Sequence, residues 1–140
     1  MRSESCGLAL LLALGGCYAS NVVARADRAV AVTDVAQLPW RAATAADFTG
    51  LFESVSIEGE VALALRRVWY LFEDGGRYAG AALVDTDAGP AFQTLAGNWR
   101  LGDDGLRLDA AAPATVAAAP EHLRLQGSTG VVVLRRVPQW

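Results

Sequence analysis

The sequence predicts an all-β domain: a small antiparallel up-and-down barrel of about seven to eight strands, following a helical N-terminal segment and an irregular tether. Three observations carry this. From Phe48 onward, short runs of branched, aromatic and leucine residues alternate with polar ones, the period of a half-buried strand. Clusters of Gly, Asp and Ser punctuate these runs at residues 73–76, 102–105 and 126–130. The alanine-rich stretch 110–120 contains Pro113 and Pro120, which forbid a continuous helix and suggest a loop over one barrel mouth. The chain has 140 residues, 53% hydrophobic and 19% charged, enough apolar material for one core and too few charges for a disordered chain. It contains 27 alanines, and all 12 basic residues are arginine. Such a bias reflects nucleotide composition, so alanine is discounted as a helix signal.

The first element is a targeting segment. Arg2 lies near the amino terminus, and Leu8 to Leu14 is an uninterrupted apolar run. That length suits the core of a signal peptide and is too short for a membrane span. Leu14-Gly15-Gly16-Cys17 follows. This tetrad resembles the lipobox of bacterial lipoproteins, in which small residues let the backbone enter the signal peptidase and the thiol accepts diacylglycerol. The resemblance implies a signal peptide over 1–16, cleavage before Cys17, and fatty acyl chains of the palmitate type on the mature N-terminus. Several such chains anchor firmly where one does not. Two other readings of the same residues are a plain signal peptide cut near Ala19 and an ordinary buried thiol. Cys6 would leave with the signal, so no disulfide is expected. Tyr18 stands where Asp would favour inner-membrane retention, so the expected location is the cell envelope, at the outer membrane facing the periplasm.

Residues 17–47 read as the lipidated N-terminus and tether, with no sustained periodicity. Thr44 and Asp47 have the spacing of a capping box, so a short helical turn and an alanine-rich coil are both open there. The barrel is expected over 48–137. Leu51 to Ile57 is the first strand. Val61 to Phe72 follows, although 58–67 (EGEVALALRR) also has the composition of a helix. Glu73-Asp74-Gly75-Gly76 turns the chain into Arg77–Val84. Gly97–Leu101 and Leu106–Leu108 flank a second turn, and His122–Leu125 and Val131–Val137 flank a third.

The order Gly50-Leu51-Phe52, Tyr70-Leu71-Phe72 before a Gly-rich turn, Arg77-Tyr78, Gly97-Asn98-Trp99-Arg100-Leu101, Leu106-Arg107-Leu108 and Val133-Leu134-Arg135-Arg136 resembles the small lipocalin-like domains found in bacterial lipoproteins. The resemblance covers about two-thirds of the chain. It implies a lipocalin-like barrel and, at most, a small apolar ligand or a structural partner.

Little else suggests chemistry. A net charge of −3, a pI near 5.0 and the lack of a basic run speak against nucleic acid as a partner. Two cysteines and one histidine are too few for a structural zinc site. His122 has no nucleophile motif beside it, Asp85-Thr86-Asp87-Ala88-Gly89 lacks the later ligands of a calcium loop, and Asp103-Asp104 are adjacent turn residues that point apart. No catalytic residue, metal site or cofactor is therefore expected. Tyr70, Phe72, Tyr78 and Trp99 are the candidate lining of a ligand cavity, and equally the filling of a closed core. The expected function is that of a non-enzymatic envelope lipoprotein, a structural or interaction module attached to the membrane through Cys17. A carrier for a small hydrophobic ligand is the alternative, and an enzyme with an unrecognised site the third reading. Replacing the thiol tests the anchor directly. Cys17→Ser should abolish incorporation of labelled fatty acid, and label in that variant would refute the lipobox reading.

Overall fold

Alternation leaves one side of each strand apolar, and an antiparallel sheet with one apolar side hides it by curling. The computed structural model, which describes residues 34–138, shows this outcome. Its strands are β1 (Arg41–Ala42), β2 (Gly50–Gly59), β3 (Leu65–Phe72), β4 (Arg77–Thr86), β5 (Gly89–Gly102), β6 (Gly105–Leu108), β7 (Thr115–Ala119), β8 (His122–Gly127) and β9 (Gly130–Arg136). They form one antiparallel sheet in the order β1-β7-β8-β9-β2-β3-β4-β5-β6. The fold is all-β and barrel-like, as expected, with nine strands rather than seven or eight. Two meanders, β2–β6 and β7–β9, are joined where β9 pairs with β2.

The sheet's ends meet at a narrow seam. Leu106 and Ala114 exchange two backbone hydrogen bonds of 2.8 Å, the bridge between the β6 and β7 edges. Gly105 permits that approach. Its φ is +117°, and a Cβ there would lie 2.2 Å from the Ala114 carbonyl oxygen. Farther along the same β7 edge, β1 pairs as Arg41↔Ala118 and Ala42↔Ala117. The strap β1 thus covers what β6 leaves open.

Several expectations are corrected. Residues 110–120 are not simply a loop over a mouth, because Thr115–Ala119 is strand β7. The stretch 58–67 is neither all strand nor an α-helix: a 3₁₀ turn, Glu60–Leu63, separates β2 from β3. Residues 35–47, assigned to the tether, belong to the folded unit. Trp40 donates its indole N–H to the Val35 carbonyl at 2.9 Å and lies under the Arg124 guanidinium. Val133 is opposite Arg124 in register and so faces outward, yet it is buried. Val35, Ala36 and Trp40 line the shallow groove above it.

The capping-box spacing at Thr44 does produce a turn, the 3₁₀ segment Ala45–Phe48. Asp47 accepts from the Thr44 backbone N–H at 2.7 Å and from its hydroxyl at 3.1 Å. Arg41 grips the same carboxylate with both guanidinium nitrogens. These bonds, that from Arg41 first, hold the Asp47 carboxyl far below its ordinary value. A carboxyl shifted in this direction contributes stability above its unfolded value and loses it as the pH falls through the folded one. The turn delivers Phe48, completely buried, into the barrel.

The core is built from the inward residues of β2 to β9, with Leu95, Trp99 and Leu101 of β5 packed against it partly buried. Phe52, Val68, Phe72, Ala82, Leu106, Ala118, Leu123 and Leu134 are buried with Phe48. Phe72 sits at its centre, with the rings of Phe48, Phe52, Tyr70, Tyr78 and Trp99 around it at 5.4 to 6.5 Å. Trp99 stacks on Phe48 at 5.2 Å and donates to the Glu73 carbonyl at 3.0 Å, tying the barrel end to the 73–76 turn. Trp99→Ala should cost about 3–5 kcal/mol, as large-to-small aromatic truncations do. Arg100→Ala, on the exposed face, should cost less than about 1 kcal/mol. Urea denaturation of the two variants checks the assignment, and equal small losses would contradict it.

Candidate functional site

Of the residues singled out by sequence, Cys17 lies outside the described residues. Tyr70, Phe72, Tyr78 and Trp99 come together. They occupy the inward positions of β3, β4 and β5 and take one another as neighbours: Tyr70 stacks on Phe72 at 5.4 Å and meets Tyr78 edge-on at 6.1 Å. Burial pushes the Tyr70 hydroxyl above its ordinary value. The two phenylalanines that complete this packing, Phe48 and Phe52, were not assigned to the cluster. Phe48 was missed because a short polar turn gives no periodicity from which its direction can be read.

At the rim of the aromatic cluster is a polar clasp. Asp109 follows β6 with φ = +54°, a left-handed conformation uncommon outside glycine, asparagine and aspartate. Its carboxylate accepts from the Tyr78 hydroxyl at 2.9 Å and from the Asn98 N–H at 2.9 Å, while its own N–H donates to the Asn98 carbonyl at 2.9 Å. The carboxylate lies against Gly97, where any Cβ would come within 2.2 Å of its oxygens. Glycine at 97 therefore creates the seat. Burial first, then the Asp109 bond and charge, pushes the Tyr78 hydroxyl up to about 12.

A large groove lies elsewhere, in the barrel wall. β2 and β3 pair only from Gly50↔Phe72 to Glu53↔Trp69. Beyond that point β2 follows β9 alone. Its partners there are Ser54↔Leu134 and Ser56↔Val133, so Val55 is the extra residue of a β-bulge. A bulge bends a strand and resets which residues face inward: Phe52 and Ser54 point in before it, Ile57 after it. Ser54 covers the point of departure. Its buried Oγ accepts from the Val68 N–H at 3.1 Å, which would otherwise lose its ladder partner. The resulting open groove of about 590 Å³ is lined by Glu53–Ile57, Ala62, Leu65–Arg67, Asp85 and Arg135. Its charges are paired: Glu53 binds Arg135 at 2.6 Å and lies 3.9 Å from Arg67, and Arg66 binds Asp85 at 2.7 Å. No histidine or cysteine lines this groove, and the Ser54 hydroxyl oxygen is engaged by the Val68 N–H.

The remaining polar candidates sit in turns or at the strand ends beside them. His122 Nδ1 is 2.7 Å from the Pro120 carbonyl. Thr86 closes the turn to Gly89, donating to its carbonyl at 2.7 Å, and Asp104 pairs with Arg107 at 3.0 Å. Among the described residues no three His, Cys, Asp or Glu side chains converge as a metal site would require. No protein-family model, curated protein or solved structure matches the chain.

The clasp has a measurable signature. In an ultraviolet titration one phenolate should form near pH 12, and in Asp109→Asn this phase should move toward the ordinary tyrosine value of about 10. The raised value contributes stability in full below the unfolded pKa and loses it as pH rises through the folded one. An unchanged high-pH phase in Asp109→Asn would contradict the clasp.

Proposed function

We propose that the chain is a non-enzymatic lipoprotein of the bacterial cell envelope. Cys17 anchors it in the outer membrane, and the barrel acts as an interaction module through its outer surface rather than as a carrier. The anchor rests on the lipobox Leu14-Gly15-Gly16-Cys17. The module reading is supported by one observation above all: the four aromatics best placed to line a ligand cavity, together with Phe48 and Phe52, spend their faces on each other around Phe72. A carrier for a small hydrophobic ligand needs concave apolar space of about 300–1,000 Å³. The groove beside Glu53 is instead walled by ion pairs, and the more apolar groove of about 360 Å³ beside Trp40 lies on the outer surface, over outward Val133, not inside the barrel. The polar side chains singled out above, Ser54, Asp109, Asp104 and the ion pairs of Glu53 and Arg66, are tied to structural partners, which supports the non-enzymatic reading.

Native mass spectrometry of the protein purified from its own envelope tests both parts together. The expected species begins at Cys17, carries the mass of diacylglycerol and acyl chains, and holds no small molecule. A co-purifying apolar ligand would establish the carrier reading instead, and an unmodified Cys17 would remove the anchor.

A further inference from the structure

The outward face of β3–β5 is unusual for a sheet exposed to water. Outward positions there carry Trp69 and Leu71 on β3, Ala79, Ala81 and Leu83 on β4, and Phe92 and Ala96 on β5, aligned by register as Leu71-Ala79-Ala96 and Trp69-Ala81-Thr94, with Leu83 beside Phe92. Phe92 is 70% exposed and Leu71 39%. The Trp69 and Phe92 rings touch at 6.2 Å, and the Arg67 guanidinium lies over Trp69 at 5.5 Å. The alanines between them make an apolar floor. By contrast, outward Val133 on the opposite side of the barrel is covered by the chain's own Val35–Trp40 segment.

We propose that this face docks onto the surface of the membrane in which the protein is anchored, with Trp69, Leu71 and Phe92 entering the headgroup boundary. The inference rests on the lipid-anchor reading of Cys17. Three features choose a lipid surface over other occupants. The first is composition. Tryptophan and phenylalanine beside arginine are the residues that settle at a membrane–water boundary. The second is the charge at one margin of the face. In the neighbouring ion pairs the arginines are the more exposed partners: Arg66 is 60% exposed against 37% for Asp85, and Arg67 53% against 22% for Glu53. The guanidinium ends therefore look outward and the carboxylates lie behind them, an arrangement complementary to anionic headgroups. The third is size and reach. Three strands about 4.8 Å apart and three outward positions along each span roughly 300 Å², well below the about 800 Å² per partner of a stable protein interface. A face this small binds weakly on its own, but the stretch from Cys17 to Val35 extends at most about 60 Å. The anchor thus keeps the face at high effective concentration beside the bilayer.

The test uses the mature lipoprotein in vesicles of phosphatidylethanolamine and phosphatidylglycerol whose acyl chains are brominated, with vesicles of brominated phosphatidylcholine alone in parallel. Bromine quenches tryptophans that enter the boundary. Trp69 should be quenched, more strongly in the anionic vesicles. That share of the quenching should vanish in Trp69→Phe, which keeps the ring contact, and fall in Phe92→Asp, a change at an exposed position. Flotation of the same vesicles separates the two ideas. Protein that does not float overturns the anchor, and with it the docking. Protein that floats while native and Trp69→Phe chains are quenched alike overturns the docking alone. Emission from Trp69 that shifts with protein concentration, and not with lipid, assigns the face to a second copy and also overturns the proposal.

Discussion

The packing of aromatic rings around Phe72 is the constraint on which the rest of the structure depends. Phe72 is the last residue of β3, and its ring meets side chains from β2, β3, β4, β5 and the 3₁₀ turn before β2. Edge-on and offset contacts of this kind add about 0.5–1.5 kcal/mol per pair to the area they bury. They also fix position: the turn at 73–76 is held by the Trp99 indole, and Phe48 reaches the cluster from the 3₁₀ turn Ala45–Phe48. The strap β1 and the turn that carries Phe48 are therefore parts of the core's closure, though they precede every long strand.

The wall of the barrel is less uniform than its centre. The bulge at Val55 lets β2 leave β3, and a single serine hydroxyl supplies the bond that the departing backbone withdraws. Burying that hydroxyl costs little because its partner is an N–H that would otherwise be orphaned. Elsewhere arginine does much of the joining. Arg136 lies over the Phe52 ring at 4.7 Å, donates to the backbone carbonyls of Thr49 and Asp47 and pairs with Glu121 at 3.1 Å. One guanidinium thus links the last strand to the first long one and to the β7–β8 turn.

Much of this was legible in the sequence, for identifiable reasons. Turns rich in Gly and Asp announced the hairpins at 73–76 and 102–105, since those residues tolerate the backbone that tight turns require. Strict alternation at Trp99, Leu101, Leu106 and Leu108 gave their inward faces correctly. The β7–β8 turn was not legible: Pro120-Glu121 joins the two strands with Glu121 at φ = +60°, a conformation that propensity assigns to glycine or asparagine. Strand β7 was hidden by its composition, because a run of alanines carries no alternation of apolar and polar residues. The bulge at Val55 was equally silent, since bulges are set by pairing with a distant strand. The clasp at Asp109 depends on Gly97, twelve positions away in the chain, and such a seat is visible only once β5 and β6 are paired. For Tyr70, Phe72, Tyr78 and Trp99 the sequence foresaw a shared interior, but not that Phe48 and Phe52 would join them.

The pairing of β9 with β2 has a kinetic consequence. It brings together residues as far apart in sequence as Glu53 and Arg135, whereas nearly every other ladder joins strands adjacent in the chain. Hairpins with close partners form in about 1–10 μs, and the meander β2–β6 contains only such hairpins. Joining the two meanders instead requires closing a loop of most of the domain, whose entropy must be lost before the contacts reward it. Until the final strand arrives, the bulged half of β2 has neither neighbour and its edge is bare. Completion of the domain is thus governed by its last strand, and the time during which that edge can find a wrong partner is the time β9 takes to dock.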